Sequence, residues 1–219
     1  LSKLPRRERE KLQRRREIID AAEKRFLEKG FDGVSMDEIA CDLELSKPTL
    51  YLYFRNKESL YLAVVLRGML ILRDTFKDAV TQEKTGIKKV ATFIRALCLD
   101  YVRKHPDYYR LLVVAREQRF MTMLRKHEIE DGDKFGNMAM ELLTFLTDAI
   151  KLGIYDGTIR DDLDPLQTAI FLVVASESVI QIAPEYQDLL TRRNLTLSEY
   201  LQHSIDVMLK GIAAKKPKM

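Results

Sequence analysis

The stretch "LSKPTLYLYF", Leu45 to Phe54, decides how this chain is read. Leu50 and Phe54 are four residues apart, so on a helix they share one side. Lys47, Thr49, Tyr51 and Tyr53 fall off that side. Such a helix has an apolar edge that docks on its own domain and a polar edge left for something else. Ser46 is a capping residue type, and Pro48 is tolerated in a first turn, where amides lack intrahelical partners. The spacing therefore predicts a short helix that begins just after Ser46.

Upstream, "VSMDEIACDL" holds a second helix start. Ser35 with Glu38 is a capping box, in which the hydroxyl takes an orphan amide and the carboxylate reaches back. Met36, Ile39, Ala40 and Leu43 follow at helical spacing. A longer helix precedes them from about Arg14 to Lys29, with Ile18, Ile19, Ala22 and Phe26 on one side and Gly30 as its stop. Asn56 caps a fourth helix beginning near Lys57. Two short helices joined by a tight turn match a helix-turn-helix, whose second helix enters the major groove of DNA. The polar edge suits that partner. Lys47 offers a point charge for phosphate. Thr49 offers a hydroxyl and a methyl to base edges, and tyrosine hydroxyls reach phosphate oxygens. Ser35 and Lys57 lie at helix starts, where anions are favoured. Periodicity alone leaves open an ordinary small helical bundle with a polar face.

Charge is unevenly placed. Eight of the 37 Lys and Arg and two of the 33 Asp and Glu fall in residues 1–16, which leaves a nearly neutral body. A basic end on a neutral body suggests an arm that meets phosphate; a solvated, disordered terminus fits equally. The rest reads as helix: about Gly86 to Lys104; a helix taking in "YRLLVVAREQRF"; one around Met138, Leu142, Phe145 and Ile150; one from Leu166 to Ala183 capped by Asp164; and one from Leu197 to Ile212. "GIYDGTIRDDLD" reads as a loop. Cys41 and Cys98 show no metal or disulfide spacing and read as reduced core residues of a cytoplasmic protein. No apolar run approaches membrane-span length, and no signal peptide is visible.

Enzyme chemistry finds no foothold. His105, His127 and His203 sit beside no nucleophile motif or metal-ligand repeat. "DGDKFG" from Asp131 opens like a calcium loop, but Phe135 stands at its fifth position and Leu142 at the twelfth, where a bidentate Glu is required. No catalytic residue, metal site or cofactor is expected.

The order "IIDAAEKRFLEKGF", "VSMDEIA", "LSKPTLYLYF", "NKESL" within residues 15–65 resembles the DNA-binding domain of the TetR family of repressors. The resemblance implies an all-α fold: a basic arm at 1–13, a three-helix helix-turn-helix domain at 14–60, a helical effector-binding and dimerisation domain at 61–213, and a tail at 214–219. It implies that Ser35, Lys47, Thr49, Tyr51 and Tyr53 touch DNA, that Lys57 meets a phosphate, and that Leu50 and Phe54 pack. Glu44 and Pro48 stand where the family often has glycine. Pro48 is grouped with the DNA-facing set. Either Glu44 holds a left-handed turn conformation, at a cost of about 1 kcal/mol relative to glycine, or the turn is shaped differently.

A homodimer on a palindromic operator follows, with half-sites about 34 Å apart or a multiple. The helix around Ala169–Ala175 is apolar nearly all round, and with the last helix it is expected to build the interface through Ile170, Val173, Val174, Leu201, Ile205 and Met208, burial within one subunit being the alternative. Polar-tipped aromatics and isolated charges in apolar stretches mark a candidate effector pocket: Tyr101, His105, Tyr108, Tyr109, Arg116, Phe120, Met123, Phe145 and Glu177. They point to a small apolar or aromatic effector whose binding releases DNA. The competing readings are a helical protein-interaction module and a constitutive DNA-binding protein.

Overall fold

The computed structural model describes residues 5–129 and 131–214; the first four residues of the basic arm and the tail from residue 215 lie outside the described residues. Every named element is helical, and one isolated antiparallel bridge joins Ile159 to Ala213. The chain divides into two compact units. One holds residues up to Leu70 together with His105–Met138, and the other holds Ile71–Lys104 with the chain from Ala139 onward.

The first unit contains α1 (Arg6–Lys29), α2 (Met36–Asp42), α3 (Lys47–Tyr51), the opening turns of α4 (Lys57–Thr81), α7 (Pro106–Ala115) and α8 (Gln118–Arg125). Helix α1 begins eight residues before the start expected from its apolar periodicity. Residues 6–13, read as an arm, are helical because they are strong helix formers supported by Arg6–Glu10 and Gln13–Glu17 pairs four apart. The helix ends at Gly30, which takes φ +70° as its amide donates to the Phe26 carbonyl.

Ile18, Ala22 and Phe26 of α1 are buried, as are Ile39, Leu50, Phe54, Tyr61, Leu111 and Phe120 of the same unit. Four rings form the centre. Phe26 and Phe31 stand edge-on to Tyr61, each at 5.0 Å, and Phe120 closes on Phe31 at 5.0 Å. Edge-to-face contacts of this kind add about 0.5–1.5 kcal/mol beyond burial. The Tyr61 hydroxyl donates to the Leu111 carbonyl at 2.9 Å, so the buried phenol is satisfied; burial holds its pKa well above the ordinary value.

The second unit contains the rest of α4, α5 (Gly86–Arg95), a π-helical turn (Ala96–Tyr101), α6 (Val102–Lys104), most of α9 (Gly132–Tyr155), α10 (Pro165–Ile180), α11 (Pro184–Arg192) and α12 (Leu197–Ile212). The expected helix from Gly86 to Lys104 is present, with the π turn inside it. "YRLLVVAREQRF" is broken between α7 and α8, and α9 runs three residues into the expected loop. Helix α11 carries no periodic apolar face deep enough to announce itself; none of its residues is buried. It starts at Pro184, four residues after α10 ends at Ile180 and so short of the Ala183 expected.

Phe76 stacks on Phe93 at 3.9 Å within this unit. Cys98 is buried and its thiol is pushed up to about 11, chiefly by burial. Cys41, expected in the core, is exposed, because it lies on the side of α2 opposite Met36, Ile39 and Ala40.

Helix α5 begins against α9 at a backbone contact. A Cβ on Gly86 would lie 2.0 Å from the Gly153 nitrogen. The Gly86 amide donates to the Asp156 carboxylate and the Ile87 amide to the Thr158 hydroxyl, so α9's end supplies the cap that Thr85 does not. Gly86→Ala is therefore expected to destabilise the protein by about 2–3 kcal/mol, as overpacking against rigid backbone does. Urea unfolding followed by far-UV circular dichroism measures this.

Candidate nucleic-acid interface

Helices α2 and α3 are each set by side-chain caps. The Ser35 hydroxyl accepts the Glu38 amide, and Glu38 accepts the Ser35 amide at 2.8 Å, which completes the capping box. That amide, then Lys29 and the Ser35 hydroxyl, lower the Glu38 carboxyl to about 2. Across the turn, Glu44 takes φ +53°, the left-handed conformation expected where a glycine is common. The Leu45 amide returns to the Ala40 carbonyl at 2.9 Å. Ser46 then caps α3 by accepting the Thr49 amide, and the Ser46 and Thr49 hydroxyls share a 2.7 Å hydrogen bond.

The two edges of α3 separate as their chemistry requires. Leu50 and Phe54 are fully buried. Lys47, Pro48 and Tyr51 are exposed, and Thr49 and Tyr53 are half-buried. Leu52 is 78% exposed, the most open large apolar side chain of the segment. It was not singled out from the sequence, although its offset of two from both Leu50 and Phe54 already puts it off the packing side. Arg55 is exposed beside it.

The cations near this surface are held differently. Lys47 pairs with Asp37 of α2 at 2.8 Å, and that carboxylate raises its pKa. Arg25 of α1 grips Asp42 at the end of α2 through two hydrogen bonds, 2.6 and 2.7 Å. Lys57, expected to meet a phosphate, turns inward. Its ammonium donates to the Phe31 and Val34 carbonyls, both at 2.8 Å, and sits 4.1 Å over the Phe31 ring. The turn before α2 leaves two carbonyls unpaired by helix bonds, and Lys57 is the donor that satisfies them. Two of its three protons are thus spent within the domain.

The nine candidate pocket residues divide between the units. In the first, Phe120 belongs to the ring cluster, Tyr109 is buried, His105 precedes α7, and Arg116 is exposed. Met123 is half-buried, and Tyr108 donates to Glu23 of α1. Burial and then that carboxylate push the Tyr108 hydroxyl up in pKa. In the second unit, Tyr101 is buried in the π turn, Phe145 is half-buried with the Lys77 ammonium 5.5 Å from its ring, and Glu177 is half-buried.

The expected interface residues also divide. Ile170 and Val174 are exposed on α10 and Val173 is half-buried, but Leu201, Ile205 and Met208 are buried within the second unit. The α12 stripe read as an intermolecular face is the chain's own core face, because α12 packs on α5 and α10 through it. What stays open is Leu166, Ile170 and Val174, one row at every fourth residue of α10, with Phe171 60% exposed and Val207 of α12.

Residues 18–64 match the family model described as "Bacterial regulatory proteins, tetR family". The HTH-type transcriptional activator FasR of Mycolicibacterium smegmatis is 32% identical over 100 residues, 46% of this chain and 45% of FasR. The chain thus spans under half of that relative. The Fatty acid metabolism regulator protein of Bacillus subtilis is 26% identical over 150 residues, 68% of this chain and 72% of its own. Among solved structures, FadR from Bacillus subtilis in complex with stearoyl-CoA aligns with a TM-score of 0.62 at 20% identity, covering 90% of this chain and 98% of that one. At that identity the likeness establishes the fold.

In a duplex-binding assay, Lys57→Met is expected to weaken binding while leaving the slope of log affinity against log salt unchanged. A direct phosphate contact would instead cost about 0.9 of that slope.

Proposed function

We propose, from the premise that residues 18–64 are a tetR-family DNA-binding domain, that the chain is a ligand-responsive transcriptional regulator. It represses by holding a palindromic operator as a dimer and lets go when a small apolar effector binds. The observation that carries this is the anchoring of α3: Leu50 and Phe54 are buried, and Lys47, Pro48 and Tyr51 are left open with Thr49 and Tyr53 half-open. Ser35, exposed at the start of α2, adds a hydroxyl to the reading set. Lys47 exchanges Asp37 for a phosphate on binding, Thr49 and Tyr51 reach base edges, and Tyr53 lies along the backbone.

One short helix reads few bases, so two copies on a symmetric dimer are needed for a useful site. The open row of Leu166, Ile170, Phe171 and Val174 is the surface that supports such pairing, since large apolar patches call for cover. The protein works by binding rather than turnover, and it works in the cytoplasm, where its DNA is. Among the described residues, no single helix is long and apolar enough to cross a membrane.

For the effector, a fatty acyl chain is the first candidate. One relative is a fatty acid metabolism regulator, and one structural neighbour was solved with stearoyl-CoA. Release follows from linkage: the effector prefers a conformer in which the two α3 helices are wrongly spaced for the operator.

Selection of bound duplexes from a random pool tests the reading. The wild-type chain is expected to enrich a palindrome. Thr49→Ala with Tyr51→Ala is expected to cost about 2–4 kcal/mol of discrimination between that palindrome and random duplex, with the dimer intact by sedimentation. Preference for the palindrome surviving both changes would remove α3 as the reader. Long-chain acyl-CoA added to the operator complex is expected to raise its Kd at least about fivefold, as coupling of 1 kcal/mol or more requires; fluorescence anisotropy reads this.

A further inference from the structure

The first turns of α1 bury nothing. Residues 6–14 are all exposed, and Arg6, Arg7, Arg9, Lys11 and Arg14 there outnumber Glu8 and Glu10. Arg15 and Arg16 follow at once. A helix that is polar all round needs either pairs along its surface or something to lie on. Two pairs are present, Arg6–Glu10 at 2.7 Å and Arg14–Glu17 at 2.9 Å. Arg7, Arg9, Lys11 and Arg16 have no ion-pair partner among the described residues. Arg7 and Lys11 stand four apart, a like-charge spacing that weakens a helix. Surplus positive charge on an exposed, ordered segment is costly unless an anion answers it.

The segment also has a fixed point of departure. The Arg15 guanidinium lies 4.2 Å over the Phe54 ring and donates to Asp131 at 2.7 Å. Phe54 closes the α3 segment. The exposed helix therefore leaves the domain beside the end of the reading helix and runs on for about 14 Å at 1.5 Å per residue.

We propose that Arg6 to Arg16 is a second DNA-binding element, which lies on the phosphate backbone flanking the bases read by α3. This rests on the regulator reading above. Duplex DNA carries about one negative charge per 1.7 Å of axis, so a helix of this length faces several phosphates. Guanidinium groups pair with phosphate through parallel hydrogen bonds, which suits the arginine bias. Phosphate contacts carry no sequence information, so the segment adds affinity equally on operator and random duplex.

The test uses the full chain with Arg7→Gln, Arg9→Gln, Lys11→Gln and Arg16→Gln combined, since Gln keeps helix propensity. A companion carries Arg7→Lys, Arg9→Lys and Arg16→Lys, and circular dichroism confirms that both fold. Affinity for the selected palindrome and for a scrambled duplex is measured across salt concentrations. The Gln variant is expected to lose roughly tenfold or more on both duplexes at low salt, with a slope shallower by roughly two to four per protomer, and the Lys variant is expected to restore it. An unchanged slope overturns the proposal. So does an unchanged slope accompanied by loss of co-sedimentation with phosphatidylglycerol vesicles, which would make a membrane surface the partner. Should the wild-type chain select no duplex at all, the regulator reading falls and takes this element with it. If it selects one and only the slope fails to move, this element alone is lost.

Discussion

Five residues of helix cannot hold themselves. One turn of hydrogen bonds does not offset the backbone freedom it removes, and isolated helices of this length melt in water. Helix α3 is five residues long, so its shape depends on what fixes it from outside. Leu50 and Phe54 are fully buried, the Ser46 hydroxyl takes the Thr49 amide, and the Arg15 guanidinium covers the Phe54 ring. Burying two such side chains is worth on the order of 1.5–3 kcal/mol each. The polar edge of α3 faces outward because those two anchors face inward.

The same economy of anchors extends beyond the helix-turn-helix. The turn between α1 and α2 is held by Lys57 from α4 and by Arg119 from α8, which pairs with Asp32 at 3.0 Å and lies 4.5 Å over Phe31. Helix α7 reaches back to α1 through Tyr108 on Glu23 and Arg110 on the Leu27 carbonyl. Arg67 of α4 joins the same carboxylate at 3.1 Å. Helices far along the chain are thus tied to α1 and to the turn that leads into α2.

Much of this was legible because it is local. A capping box, a proline in a first turn, a glycine stop and a glutamate in a glycine's place each declare themselves within four residues, and the backbone follows them. Apolar spacing found the buried sides of α1, α2 and α12. What it could not show is which covering a stripe receives. Leu201, Ile205 and Met208 look the same in sequence whether they meet a partner chain or the chain's own α5 and α10. The inward bonds of Lys57 were hidden for a related reason: the carbonyls that take its protons lie 23 and 26 residues upstream. The early start of α1 was hidden because its first turns have no apolar stripe, and periodicity is silent where nothing is buried.

The two cysteines differ in a way that serves the experimenter. Cys98 is sealed beside Ser176 with its thiol held protonated, while Cys41 stands open on α2, one residue from the Asp42 that Arg25 grips. A maleimide dye added to the folded, unmodified chain would therefore attach at one place, on the helix adjoining α3. The molecule thus carries a natural attachment site for an optical reporter next to its candidate contact surface.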